Sequence, residues 1–262
     1  MLPELTHGGL HRIMADTYVP QRAIFIYAHP DDIEFSAGGT AAKWAKHGSD
    51  LYFVILTDGN VGTHEEEMTT DRLIETRRSE QRASAKILGA KECVFLGYHD
   101  GLLQATLELR KELVRLIRKY KPNVVVCGDP TSFFPSESRI NHPDHRAAAT
   151  AALDATFPAA EMPLLYPELE AEGLEPHKVN YVYVSNPSDE PNYYVDTSES
   201  IDLKIQALRE HRSQLGDWDP DEPIKAWNRE TGKKVGFIYG ERFLRITLKE
   251  PEIESEAGSA NE

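Results

Sequence analysis

Between residues 22 and 156 one pattern recurs four times: a short apolar run rich in β-branched and aromatic residues, then a longer stretch with helical spacing. The runs are Arg22–Tyr27, Leu51–Leu56, Glu92–Leu96 and Asn123–Cys127. Runs of this length and composition read as buried strands. The stretches that follow are Gly38–His47, Asp71–Leu88, Leu107–Tyr120 and His142 to about Thr156; the third is amphipathic, with Leu109, Leu113, Leu116 and Ile117 on one side. Gly48 is suited to a left-handed helix cap, Gly89 ends the second helix, and Pro122 stops the third. Strict alternation of strand and helix predicts a parallel sheet covered on both faces. The expected fold is therefore α/β, a Rossmann-like three-layer α/β/α arrangement with a mostly parallel central sheet.

The second half reads differently. Residues 158–176 are rich in proline and acid, Val179–Val184 and Tyr193–Val195 are strand-like, Ser198–Leu215 is helical, and Phe243–Leu248 is a last strand. No internal repeat is present. The expected organisation is one domain over 22–250, whose portion 158–250 caps the sheet or makes oligomer contacts. Residues 1–21 are expected as a surface arm or short helix, and 251–262 as a disordered acidic tail.

Composition narrows the function. The 262 residues carry a formal net charge of -14, which argues against nucleic-acid or anionic-membrane partners. No apolar run is long enough to span a bilayer, and no signal peptide is evident at the N-terminus. Cys93 and Cys127 lack neighbours at zinc-finger spacing and read as reduced core residues, which predicts a cytoplasmic setting.

In open α/β sheets ligands bind outside the carboxyl ends of the strands. There, where a nucleotide-binding protein places glycines, this chain places Ala28-His29-Pro30-Asp31-Asp32. After the fourth strand comes a long loop, Asp129–Asn141, and then His142-Pro143-Asp144-His145 opens a helix. His29 and Asp32 can share one cation, and His145 adds a second imidazole. Two histidines and one carboxylate are the ligand count of a catalytic zinc site whose fourth position is left to water. A nitrogen and oxygen set without thiolates suits zinc, with iron, cobalt or nickel as substitutes in vitro.

Asp31 adjoins ligand Asp32 but points elsewhere, so it is free to act as a general base. His142 shares a helix face with His145 and is placed to stabilise an oxyanion or protonate a leaving amine. Asp144 is expected to accept from the His142 ring and orient it. Either histidine motif alone is common by chance; a strand before each makes a metal centre the stronger reading. Arg77 belongs either to a solvated charged helix face or to a substrate site. Asp100, at the end of the third strand, is either a turn residue or a partner for a substrate hydroxyl. Asp58 suits a turn cap, and His64, His99 and His211 read as surface or structural.

These residues carry a family resemblance. Ala28-His29-Pro30-Asp31-Asp32 with Gly38-Gly39, and His142-Pro143-Asp144-His145, resemble the two signatures of the PIG-L/LmbE-like N-deacetylases. Thr57-Asp58-Gly59, Arg77-x-x-Glu80 with Leu88-Gly89, and Pro122–Val126 fit the same pattern. Pro191-Asn192-Tyr193, His211–Gln214 and Tyr239-Gly240-Glu241 are similar to the branch acting on diacetylchitobiose. The resemblance spans roughly residues 22–248. It implies a mononuclear zinc hydrolase that removes the N-acetyl group from an N-acetylglucosamine-type amino sugar. It also implies ligands His29, Asp32 and His145, base Asp31, acid or oxyanion residue His142 supported by Asp144, and sugar-binding positions at Arg77 and Asp100. Homo-oligomers, trimers or hexamers, are common in the family. The alternatives are the N-acetylglucosaminyl-malate step of bacillithiol synthesis, a thiol-conjugate amidase, or a non-catalytic carbohydrate- or nucleotide-binding module. Binding alone needs no base beside an open metal position, which disfavours the last. A metallophosphoesterase would need more ligands than the chain assembles.

Overall fold

The computed structural model describes residues 14–15, 18–63, 65 and 67–250. The acidic tail, most of the N-terminal arm and His64 lie outside the described residues. In chain order the elements are β1 (Met14–Ala15), β2 (Arg22–Tyr27), α1 (Asp32–Lys46), β3 (Asp50–Thr57), α2 (Thr70–Ile87) and β4 (Glu92–Tyr98). Then come α3 (Leu107–Tyr120), β5 (Val124–Cys127), α4 (Pro143–Asp154), a π-helical turn at Ala155–Ala159, α5 (Pro167–Ala171), β6 (Tyr181–Ser185) and β7 (Tyr193–Asp196). The chain ends in α6 (Ile201–Arg209), α7 (Arg212–Leu215), α8 (Asp221–Lys233) and β8 (Gly240–Thr247).

Among the described residues, eight strands form one sheet in the order β1-β7-β8-β6-β5-β2-β3-β4. From β4 to β6 every pair is parallel; β8 alone runs against its neighbours β6 and β7. The alternation seen in the sequence thus yields the expected α/β layering. Part of the arm expected as surface or short helix is a two-residue strand instead, β1, paired parallel with β7.

Side chains of β2 alternate between two cores, as the strand period requires. Ala23, Phe25 and Tyr27 meet Trp44 of α1 and Phe53, while Ile24 and Ile26 meet Leu109, Leu113 and Ile117 of α3. Residues 23–26 are fully buried, each large side chain contributing about 1.5–3 kcal/mol of apolar transfer. The chain leaves β2 towards one face through α1 and leaves β5 towards the other through α4. The gap between the carboxyl ends of these adjacent strands is the topological switch point, where open sheets place their ligands.

Helix α1 departs from the expected Gly38–His47. It begins at Asp32 and breaks at Ala37, whose φ of -145° is non-helical. The break leaves free amides at the start of the second segment. Glu241 of β8 supplies their acceptor: its carboxylate takes the N–H of Gly39 at 2.9 Å and of Thr40 at 2.7 Å. Lys204 of α6 joins the two segments, with Nζ 2.6 Å from Glu241 Oε1 and 3.1 Å from the Phe35 carbonyl. A glycine is needed at position 39, because a Cβ there would lie 2.8 Å from Thr197 Cγ2 and 3.1 Å from Glu241 Oε1.

Candidate metal centre and active site

The turn after β2 is only four residues long. Asp31 closes it in the left-handed region, with φ 96° and ψ -24°, a conformation costing a non-glycine residue about 1–2 kcal/mol. Four contacts hold it there. The Asp31 N–H donates to Gln81 Oε1 at 2.9 Å, and its carbonyl accepts from Phe35 N at 3.1 Å. Arg77 of α2 donates through Nη2 to the Pro30 carbonyl at 2.8 Å and to Asp31 Oδ2 at 3.3 Å. Its Nη1 reaches the Gly59 carbonyl at 3.0 Å. A Cβ at Gly59 would fall 2.1 Å from Arg77 Nη1, so the glycine after β3 makes room for this guanidinium.

His29 Nδ1, His145 Nε2 and the Asp32 carboxylate converge. His29 Nδ1 lies 3.1 Å from His145 Nε2 and 3.4 Å from Asp32 Oδ2; His145 Nε2 lies 3.1 Å from Asp32 Oδ1. A tetrahedral ion with bonds of about 2.0–2.1 Å needs ligand atoms roughly 3.4 Å apart. The tautomers agree with such an ion. His29 Nε2 faces Asp100 Oδ1 at 3.0 Å, and His145 Nδ1 faces Asn141 Oδ1 at 3.1 Å. Each acceptor fixes a proton on the outer nitrogen and turns a lone pair inward, where two lone pairs meet unless a cation lies between them.

The electrostatics show a pull for positive charge at this point, which a second proton on His29 meets without a metal and which a cation would take over. Burial opposes a charge on His29, but its bonds to Asp100, Asp144 and Asp32 outweigh burial and push the ring up to about 12. Burial raises Asp32, yet the neighbouring His145 and His29 hold it well below the usual carboxylate range. The cluster is thus rich in negative charge and attracts a positive one. Asp31 is pushed up to about 6 by burial, partly offset by Arg77. That value suits a general base near neutral pH.

The remaining expected site residues are gathered here, with altered partners. Asp100 lines the cavity, and it also bonds the outer nitrogen of His29 through Oδ1 and is held through its own N–H by Asn60 Oδ1 at 2.9 Å. The side chain of Asp144 does not accept from the His142 ring. Its carboxylate lies 4.0 Å from His142 Nδ1 and instead accepts from Gly101 N at 2.7 Å and Leu103 N at 3.2 Å, with His29 Nε2 at 3.4 Å. His142 is the N-cap of α4, its Nδ1 accepting the Asp144 amide at 3.2 Å. The neutral ring therefore carries its proton on Nε2. Burial and the charge of His29 keep its pKa below the ordinary histidine value. Arg77 lines the cavity, but its hydrogen bonds go to Pro30, Gly59 and Asp31, so it braces the base.

Sequence reasoning missed Asn141 and Gln81, which orient a ligand and the base. Their only signal was spacing, Asn141 four residues before His145. Asp58 is more than a turn cap: it takes Arg78 through both oxygens at 2.7 and 2.9 Å. His99 is exposed, and His211 is fully buried against Glu34. Both cysteines are free thiols.

The triad opens into a cavity of about 750 Å³ whose walls include Phe35, Arg77, Arg139, Trp227 and Arg242. It holds two histidines and one carboxylate that could bind a cation with one side left open, and a further carboxylate, Asp31, next to them, an arrangement suited to metal-assisted hydrolysis.

Residues 24–156 match the family described as PIG-L, GlcNAc-PI de-N-acetylase. The chain is 36% identical over 226 residues to diacetylchitobiose deacetylase of Thermococcus kodakarensis, covering 84% of this chain and 81% of that one. It is 27% identical over 202 residues to a probable N-acetyl-alpha-D-glucosaminyl L-malate deacetylase of Bacillus anthracis, covering 74% and 82%. Among solved structures, N,N'-diacetylchitobiose deacetylase from Pyrococcus horikoshii superposes with a TM-score of 0.79 at 32% identity, covering 87% of this chain and 84% of that chain. The protein is a hydrolase of the N-deacetylase class. It belongs to the PIG-L family.

Proposed function

We propose that this protein removes the N-acetyl group from an N-acetylglucosamine-type amino sugar, using one divalent metal ion, zinc, per subunit. The observation that carries the reading is the inward convergence of His29 Nδ1, His145 Nε2 and Asp32 beside the unligated carboxylate of Asp31. When bound, the ion supplies a Lewis acid for the amide carbonyl and lowers the pKa of water. Asp31 accepts the proton of the attacking water at Oδ1, since Oδ2 is engaged by Arg77. His142 donates a hydrogen bond from Nε2 to the developing oxyanion, and the proton taken up by Asp31 passes to the leaving nitrogen. Asp100 and Asn141 keep the two histidine rings in the ligating tautomer, and Asp144 packs behind His29.

The cavity wall supports a substrate with a second sugar ring. Phe35 and Trp227 line it, and Trp218 lies between them, tilted against Phe35 and stacked on Trp227, with ring centroids 6.2 and 6.4 Å away. Trp227 is 57% exposed, which leaves an aromatic face for the apolar face of a pyranose. Asn228 also lines the cavity, and its buried Oδ1 has no hydrogen-bond partner. Diacetylchitobiose fits these features. Arg139 and Arg242, which also line the cavity, favour a second reading, a glucosaminyl conjugate with an anionic aglycone such as malate. The remaining alternatives, a thiol-conjugate amidase and a non-catalytic module, draw no comparable support.

The same reading makes the enzyme a cytoplasmic homo-oligomer acting on a small molecule, with neither nucleic acid nor membrane as partner. Two free thiols support the compartment. No described helix is long and apolar enough to cross a membrane. Phe157, Met162 and Leu164, close in sequence and exposed, the last to 93%, are suited to a subunit contact. The test is acetate release by the zinc-loaded protein from N-acetylglucosamine, diacetylchitobiose and N-acetylglucosaminyl-malate in parallel. Turnover is expected with the disaccharide foremost; no release from any of the three contradicts the proposal.

A further inference from the structure

Beneath the turn that carries Asp31 lies a buried polar chain that binds neither metal nor substrate. Glu34, Gln81, Ser84 and His211 are all fully buried. Gln81 Oε1 accepts the Asp31 N–H at 2.9 Å, and Gln81 Nε2 donates to Glu34 Oε1 at 2.7 Å. Ser84 Oγ donates to the same oxygen at 2.5 Å, and His211 Nε2 lies 3.6 Å from Glu34 Oε2. An amide N–H can only donate and a carboxylate can only accept, so the orientation of the Gln81 amide is forced from both ends. A carboxamide is the group that joins such a pair.

We infer that Gln81 is a positioning residue for Asp31: it holds the base in its left-handed conformation, and Glu34 with His211 holds Gln81. The inference rests on the deacetylase reading for its kinetic consequence, but not for its structural one. A left-handed non-glycine residue persists only where its surroundings over-determine it. Of the contacts on Asp31, the one to its own N–H comes from Gln81. Arg77 reaches the preceding carbonyl and the side chain, so it cannot replace a lost acceptor for that amide. The ligand next door is secured separately: the His29 amide donates to Asp32 Oδ2 at 2.8 Å, and the Asp32 amide to the His29 carbonyl at 3.3 Å. Loss of Gln81 should therefore displace the base and spare the metal.

The chain also links two parts of the molecule distant in sequence. His211 sits in the turn between α6 and α7, and the next residues bind α2 again, Ser213 donating from N and Oγ to Glu80 at 2.9 and 2.6 Å. The C-terminal portion thus reaches the base through Glu34 and Gln81 without entering the cavity.

The test is Gln81→Met, which keeps the length and removes the acceptor, made alone and together with Asp31→Asn. Bound zinc should stay at the wild-type level and KM within about twofold, while kcat falls by up to about 10²-fold, the cost of misplacing a reacting group by an ångström. In the Asp31→Asn background the same substitution should cost nothing further, because the group it positions is already gone. An equal loss in both backgrounds overturns the inference, since a merely structural role would not distinguish them. Gln81→Asn, too short to reach both partners, carries the same comparison if Gln81→Met fails to fold. A crystal structure of either variant gives a readout independent of activity: Asp31 should leave the left-handed region with Asp32 in place. Asp31 retaining its φ near 96° would refute the inference even if no acetate assay responds, whereas wild-type inactivity alone would fail the deacetylase reading and leave this readout standing.

Discussion

The two halves of the sheet do different work. Strands β2 to β5 are parallel, and the turns after β2 and β5 deliver the atoms of the proposed metal site: His29 and Asp32 from one, His145 from the other. The region from β6 to β8 is partly antiparallel, contributes no ligand, and sends Lys204, His211, Trp227 and Glu241 towards the site from behind or from the side. Strand ends at a switch point are rigid and convergent, which suits chemistry. A later segment folded over them suits enclosure, bracing and choice of substrate. On this view, damage to the first half removes metal or rate, and damage to the second removes stability or substrate affinity.

The sharpest break of that division is His145→Ala. It should abolish acetate release and reduce bound zinc at least about tenfold, measured by metal analysis after dialysis; full zinc occupancy would remove His145 from the ligand set. On the other side, Lys204→Met leaves the buried Glu241 without its cation and should cost about 3–5 kcal/mol in denaturant unfolding, with zinc stoichiometry preserved in the folded fraction. Unchanged stability would show that the kinked α1 does not depend on this pair. Asp100→Ala returns to the first half. Without the acceptor for His29 Nε2, zinc affinity should weaken about 10–100-fold in a competition titration, and a change confined to KM would instead make Asp100 a sugar ligand. The smallest expected effect is Trp227→Ala, which should raise KM for diacetylchitobiose about fivefold, a typical loss for one exposed aromatic contact, and leave N-acetylglucosamine unaffected. Equal changes on both substrates would dissociate the aromatic wall from any second sugar.

The same division explains what could be read from the sequence. In the parallel half, strands are buried on both faces and appear as continuous apolar runs, so β3, α3 and β5 fall within a residue or two of expectation. The histidine motifs stood out because two of them follow strands in one parallel sheet, which brings them to the same edge. What stayed hidden there was the direction of side chains. Asp100 occupies the expected strand end, but which atom its carboxylate meets depends on the distance across to His29. Arg77 looked like one of several arginines on a charged helix, and its burial follows from Gly59, which leaves it room.

In the later half the signal itself is weak. Helix α8 escaped notice because its buried face is Ile224, Asn228 and Gly232, two of which carry no hydrophobic period. Gly232 is there for close packing: a Cβ would lie 2.8 Å from the Phe237 carbonyl. The stretch expected as a single helix over 198–215 breaks at His211, whose ψ of 53° is not helical. The break turns this residue inward to Glu34, a partner 177 positions away in the chain. Antiparallel β8 carries the Glu241 that closes the gap in α1; Gly39 and Glu241 both stand in motifs, but their contact is visible only in the fold.

The central claim is that Asp31 acts as the base beside an independent metal site. The most direct measurement is zinc content and acetate release of Asp31→Ala against wild type on diacetylchitobiose. The account predicts full zinc occupancy with turnover reduced about 10²- to 10⁴-fold, the usual share of general base catalysis. Wild-type turnover with zinc bound would contradict it.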